Sequence, residues 1–375
     1  MKKRSLFVVM LLIGVMLVPM SAEGFFGWFG GGDEDDIPDL NVSYIFTNHQ
    51  TPLMVATAKG EDFKSEGVYL QEVSEREEYI LMDDDEEIAN LNLIVSQSGS
   101  ETMTMMSQGH VDVGFASSAA AISAIDQGTD LKILCPVHTE GIGLVMDKDS
   151  AVNDWEEFSK LIENSDEPVK VGYHSPTSAP IILLKEALGE AGISYSGDYQ
   201  DRDVEVTLVD LRSTSNLLPA LTGGQVDAWV GPSPFPELAE VEGVGEIVLD
   251  MKNLPPEGEW YDFPCCIMAA TGQTIDQHSE ALEVFTKLMK VSAEYCNQNM
   301  EEAANITADY TGVSETAARM SSIRYTTDPS DSWVSNLGLI YNTLQDSKVL
   351  EEKLVNKDYN EVKDELFDFS FIHLW

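Results

Sequence analysis

From residue 39 onward, short apolar runs alternate with stretches whose apolar positions recur at helical spacing. Runs at 40–46, 91–95, 111–116, 131–136 and 142–146 read as strands, and the patterns at 52–58, 98–108 and 119–127 read as helices. A second set follows: helix 155–163, strand 169–173, polar loop 174–178, helix 180–191, strand 204–209, helix 215–221 and strand 226–230. A strand at 265–270 comes after Pro264, and four helical stretches fill 277–368, broken at Gly312 and Pro329. Asp83-Asp84-Asp85-Glu86-Glu87 reads as a solvated loop within an acidic insertion. The alternation predicts an α/β fold, and 375 residues suffice for two to three domains.

The two sets resemble each other. Ser98-Gly99-Ser100 precedes Val111-Asp112, and Ser213-Thr214-Ser215 precedes Val226-Asp227 at the same distance. Each set also has a strand, a polar loop holding His49 or His174, and a proline, Pro52 or Pro180, near a helix start. Two lobes of similar βαβ build are expected.

Charge changes the picture. With 22 Lys+Arg against 65 Asp+Glu, the net charge is −43, which repels nucleic acid. The acidic excess is spread along the chain, a pattern suited to solubility in concentrated salt. At the N-terminus, Met1-Lys2-Lys3-Arg4, an apolar run at 6–20 and Ser21-Ala22 form the three parts of a secretory signal peptide. An uncleaved anchor is the other reading, because Phe25, Phe26, Trp28 and Phe29 suit a membrane interface. Residues 23–38 read as a Gly-rich acidic tether. Cys135, Cys265, Cys266 and Cys296 show neither C-x-x-C nor zinc-finger spacing, and the sequence does not choose among disulfide pairings. Asn41 and Asn305 begin glycosylation sequons.

Candidate chemistry lies where strands end and helices begin, the usual ligand crevice of α/β sheets. Helix N-termini there present unpaired N–H groups that suit an anion. Asn48, His49, Gln50, Ser98, Gly99, Ser100, Ser117, Ser118, His138, Ser175, Thr177, Ser178 and Trp229 are the candidate ligand-binding residues. Ser98 to Glu101 also matches a capping box. His49, His138, His174 and Glu140 lack metal-ligand spacing, so no metal and no cofactor are expected. No catalytic motif is present: neither G-x-S-x-G, nor a P-loop, nor H-E-x-x-H.

The ordered set Thr47-Asn48-His49-Gln50-Thr51-Pro52, Ser98-Gly99-Ser100, Gly109 to Asp112, Gly128 to Lys132, Val226-Asp227-Ala228 and Pro234-Phe235 resembles solute-binding proteins of ABC transporters of the nitrate, sulfonate and taurine class. The broader superfamily includes binding proteins for thiamine pyrimidine precursors. The chain departs at Pro232-Ser233, where that class often has Trp-Glu. The resemblance implies a two-lobed periplasmic-binding-protein-like fold of type II. Lobe one would comprise 39–143 and 264–375 and lobe two 144–263, with crossings near Met146 and Phe263. It further implies a non-enzymatic, exported monomer that captures a small oxyanion and delivers it to a membrane permease and its ATPase. The rival expectation is a pyrimidine-precursor binding or synthesis protein on the same fold, suggested by Pro264-Cys265-Cys266.

Overall fold

The computed structural model describes residues 37–372, apart from 256 and 259. The expected signal peptide and nearly all of the tether lie outside the described residues. The first segment runs β1 (Asp39–Tyr44), α1 (Thr51–Lys59), β2 (Val68–Ser74), β3 (Glu78–Asp83), β4 (Glu86–Val95), α2 (Gly99–Ser107), β5 (Val113–Ser117), α3 (Ser118–Asp126) and β6 (Leu131–Thr139). The second runs β7 (Ile142–Met146), α4 (Trp155–Glu163), β8 (Val169–Tyr173), α5 (Ala179–Glu190), β9 (Tyr195–Ser196), β10 (Val206–Asp210), α6 (Leu217–Thr222), β11 (Ala228–Pro232), α7 (Phe235–Val241) and β12 (Glu246–Asp250). The return segment holds β13 (Pro264–Thr271), α8 (Gly272–Gln277), α9 (Ser279–Gln298), α10 (Met300–Thr311), α11 (Glu315–Met320), β14 (Arg324–Tyr325), α12 (Asp331–Asp346) and α13 (Tyr359–Leu366).

Two sheets result, ordered β14-β6-β13-β5-β1-β4-β3-β2 and β12-β7-β11-β8-β10-β9. Their centres are built alike. In the first, β1 lies between parallel neighbours β4 and β5, and β13 arrives antiparallel between β5 and β6. In the second, β8 lies between parallel β10 and β11, and β7 arrives antiparallel between β11 and β12. Each sheet thus receives one strand across from the other, which is the two-lobed type II arrangement.

The paired Val-Asp motifs have a structural meaning in this scheme. Asp112 accepts a hydrogen bond from the Asn41 backbone N–H at 2.8 Å, and its own N–H donates to the Asn41 carbonyl at 2.9 Å. Asp227 makes the same two bonds with Lys170, both at 2.9 Å. Each aspartate therefore fastens the start of its lobe's third parallel strand to the first.

Three expectations need correction. The crossing anticipated near Met146 falls at Glu140-Gly141, because Ile142 and Gly143 already pair with Pro232 and Gly231 of the second sheet. Periodicity identifies β7 as a strand but carries no information about its partner. The acidic segment is also no simple loop: β2 and β3 form an antiparallel extension of β4, and Asp84, at φ 50°, makes the tight β3–β4 turn. Lys287 pairs with Asp83 at 2.7 Å there. The return segment carries α9 to α13 between residues 277 and 368 where four helical stretches are expected, with Gly312 capping α10 at φ 74°.

One core packs β1, β5 and the hairpin strands under α1 and α9, around Leu40, Val42, Leu53, Phe115, Phe285 and Leu288. Another spans both lobes: Ile122 and Ile125 of α3, Ile181 and Leu184 of α5, and Leu337, Ile340 and Leu344 of α12 belong to one buried cluster. A third packs the second sheet against α6 and α7, around Val209, Leu217 and Trp229.

Candidate functional site

The carboxyl ends of the parallel strands in both sheets converge on one narrow cavity of about 30 Å³. The β1–α1 turn supplies Thr47, His49 and Gln50, the start of α2 supplies Gly99 and Ser100, and the end of β5 supplies Ser117. From the second lobe come His174, Ser175 and Ser178 after β8, Thr214 after β10 and Pro232 of β11. Cys265 and Cys266 of β13 complete the wall. The lining residues include no Lys or Arg; the side-chain donors are hydroxyls, the Gln50 and Gln97 amides, imidazoles and two thiols.

Hydroxyls join the lobes across this cavity. The Ser100 Oγ lies 2.8 Å from both the Ser175 Oγ and the Thr177 Oγ1. The Ser117 hydroxyl donates to the Thr177 carbonyl at 2.7 Å. These groups come from opposite sheets, so the lobes are closed over the cavity. Their hydrogen-bonding capacity is available for exchange with a solute.

The structure brings seven of the thirteen candidates to the cavity wall: His49, Gln50, Gly99, Ser100, Ser117, Ser175 and Ser178. Thr177 bonds to Ser100 beside them. The other five have different placements. Ser98 caps α2 by accepting from the Glu101 N–H, and the Glu101 carboxylate accepts from the Gln97 N–H. The Asn48 amide donates to the Ala318 carbonyl of α11, facing away from the cavity. Ser118 donates to the Pro264 carbonyl at 2.6 Å. Trp229 is fully buried in the outer core of the second lobe and forms no part of the cavity wall. Trp229 is the second residue of β11, toward its amino end, whereas the cavity lies at the carboxyl end, where Pro232 stands. His138 lies behind His49, with ring centroids 4.1 Å apart.

Residues not singled out as ligand candidates include Thr214, Cys265, Cys266 and His174. Thr214 was legible, because it occupies in the second motif the place Gly99 takes in the first. The cysteines come from a strand whose position in the sheet no local pattern reveals.

Beneath the hydroxyls lies a compact sulfur and imidazole cluster. The His49 Nε2 is 2.7 Å from the Gly141 carbonyl, which only accepts, so Nε2 carries the proton. The lone pair of His49 Nδ1 then faces Cys265 Sγ at 3.4 Å and Cys266 Sγ at 3.6 Å. The two sulfurs are 3.8 Å apart, and all four cysteines are free thiols. Burial pushes the Cys265 thiol up, whereas the hydrogen bond from Cys265 draws Cys266 down. Burial also lowers His138, and lowers His174 to about 4, so both rings are neutral at pH 7.

Comparison with known proteins places the chain. The sequence profile of the NMT1-like family matches residues 33–310. The chain belongs to the NMT1-like family. An uncharacterised protein of Methanocaldococcus jannaschii is 34% identical to this NMT1-like chain over 118 residues, covering 31% of this chain and 81% of that protein. Among solved structures, the periplasmic nitrate-binding protein of Synechocystis PCC 6803 superposes with a TM-score of 0.70 at 14% identity, covering 90% of this chain and 87% of that one. The ligand-binding component of an ABC-type import system from Staphylococcus aureus, solved with zinc bound, gives 0.68 at 16% identity, covering 89% and 97%. The alkanesulfonate-binding protein of Xanthomonas axonopodis pv. citri, bound to MOPS, gives 0.62 at 13%, covering 84% and 96%. These likenesses establish the periplasmic-binding-protein fold for this NMT1-like chain. Among the described residues, no helix is long and apolar enough to cross a membrane.

Proposed function

We propose that this NMT1-like protein is an exported, non-enzymatic solute-binding protein that closes two lobes over a small solute and delivers it to the permease and ATPase of an ABC importer. The carrying observation is the convergence of strand ends from both sheets on one cavity, bridged by Ser100, Ser117, Ser175 and Thr177. A solute drives closure only by touching the closed state differently from the open one, and a site built from both lobes meets that requirement. The permease then reads the closed shape.

The proposed solute is a small oxyanion such as a sulfonate or nitrate. Hydroxyl donors and the N-termini of α2, α3 and α5 face the cavity, where an anion accepts from O–H and N–H groups. Screening nitrate, taurine, alkanesulfonates and aminopyrimidines for a thermal shift tests the reading. A shift with an oxyanion supports it, and a shift with aminopyrimidines alone favours the pyrimidine-precursor reading, which draws on Cys265, Cys266 and His49 at the same cavity.

A further inference from the structure

We propose that His49, His138, Cys265 and Cys266 form a site for one thiophilic divalent metal ion of the zinc class. Each residue offers one ligand atom, and these four atoms all lie within 4.8 Å of one another. The residues come from the β1–α1 turn, β6 and β13, so only the fold brings them together.

The spacing fits a tetrahedral ion. With Zn–S of about 2.3 Å and Zn–N of about 2.0–2.1 Å, tetrahedral angles require S···S of about 3.8 Å and S···N of about 3.5–3.6 Å. The observed Sγ···Sγ separation is 3.8 Å, and the His49 Nδ1 to sulfur separations are 3.4 and 3.6 Å. An ion at the centre of the cluster therefore needs little rearrangement of these three atoms.

The surroundings are those of a ligand set. Metal-bound histidines usually donate their other ring N–H to a carbonyl or carboxylate, which fixes the tautomer. The Gly141 carbonyl serves His49 in this way. His138 is fully buried, and neither of its ring nitrogens has a hydrogen-bond partner. A buried imidazole left unpaired on both sides is unfavourable, and a metal bond at one nitrogen relieves it. Two thiolates neutralise a divalent ion, so the occupied site carries no net charge into the interior. Four protein ligands close the coordination sphere, which marks a resident ion rather than one that activates water. This inference does not depend on the solute, since the ligand atoms are distinct from the bridging hydroxyls.

Cobalt titration of the full chain, stripped of metal and with its thiols kept reduced, tests the site. The expected result is one equivalent of Co2+ with tetrahedral bands and a thiolate-to-cobalt charge-transfer absorption, displaced by equimolar Zn2+. The Cys265→Ser/Cys266→Ser variant should lose the charge-transfer band, and His138→Gln should weaken Co2+ binding by at least about tenfold. Cobalt bound to the wild-type chain without thiolate charge transfer overturns the proposal. So does a band that survives in the double serine variant, because Cys135 and Cys296 lie in a different core. The wild-type spectrum decides the matter even where a variant fails to fold.

Discussion

Gly141 answers two demands at once. Its φ is +75°, and a Cβ there would stand 2.3 Å from Ile323 Cγ1 and 3.3 Å from His49 Nε2. Its carbonyl accepts from both His49 and the Ser233 N–H at 2.9 Å, so the first crossing between lobes and the cavity's imidazole share one peptide. Gly141→Ala therefore carries both left-handed strain and a collision. Gly109 has a similar φ of +70° with nothing within 4 Å of its virtual Cβ. Gly109→Ala is expected to lower stability by about 1–2 kcal/mol, and Gly141→Ala by a further 1–3 kcal/mol or so from overpacking. Equal losses in thermal or denaturant melts of the two variants would remove the crowding from the account. At this scale, Ser100, Ser117, Ser175 and Ser178 were legible as small hydroxyl residues where strands end and helices begin. The thiol and imidazole cluster was not, because its members are separated by most of the chain and meet only through sheet order.

At the level of elements, one carboxylate fastens the end of α3 to the C-terminal segment. Asp126, at the end of α3, is 1% exposed and accepts from the N–H groups of Glu351 at 2.9 Å, Glu352 at 3.2 Å and Leu354 at 2.7 Å. Leu354 is buried, so water cannot replace that bond. Asp126→Ala is expected to destabilise by at least about 1–3 kcal/mol, the usual effect of stranding a buried donor. Asp126→Asn keeps one acceptor oxygen and should lose less. Amide exchange should rise first at residues 351–354 in the alanine variant, and unchanged protection there would show that the segment is held by other contacts. Most elements were readable, since apolar periodicity distinguishes a buried strand from an amphipathic helix. The β2–β3 hairpin was not: its charged residues obscure the alternation that Tyr79 and Leu81 provide on one buried face. Trp229 shows a different limit: the strand expected at 226–230 runs Ala228–Pro232, which puts Pro232 and not Trp229 at the end that meets the cavity.

Over the whole molecule, the net charge of −43 acts against compaction, while few Lys and Arg residues are present to offset it. The ion pairs that do form are mostly exposed; Lys252 with Glu140 and Asp250, each at 3.2 Å, stands out because it is largely covered and sits at the crossing between lobes. At 1 M salt the Debye length is about 3 Å and surface repulsion is screened; at 0.01 M it is about 30 Å. The melting temperature should therefore fall as salt is lowered from molar to millimolar, and a flat profile would contradict adaptation to concentrated salt. The cavity is expected to respond differently, since its hydroxyl donors are neutral and local.

A small oxyanion is proposed to bind between the lobes through the bridging hydroxyls. A calorimetric titration with the oxyanion that gives the largest thermal shift, run on the wild-type protein and on Ser100→Ala, tests it most directly. Binding of one solute per chain is predicted, with affinity reduced in Ser100→Ala by the effect of one neutral hydrogen bond, about 0.5–1.5 kcal/mol. Wild-type affinity in that variant, or the absence of binding by every oxyanion in the panel, would contradict the account.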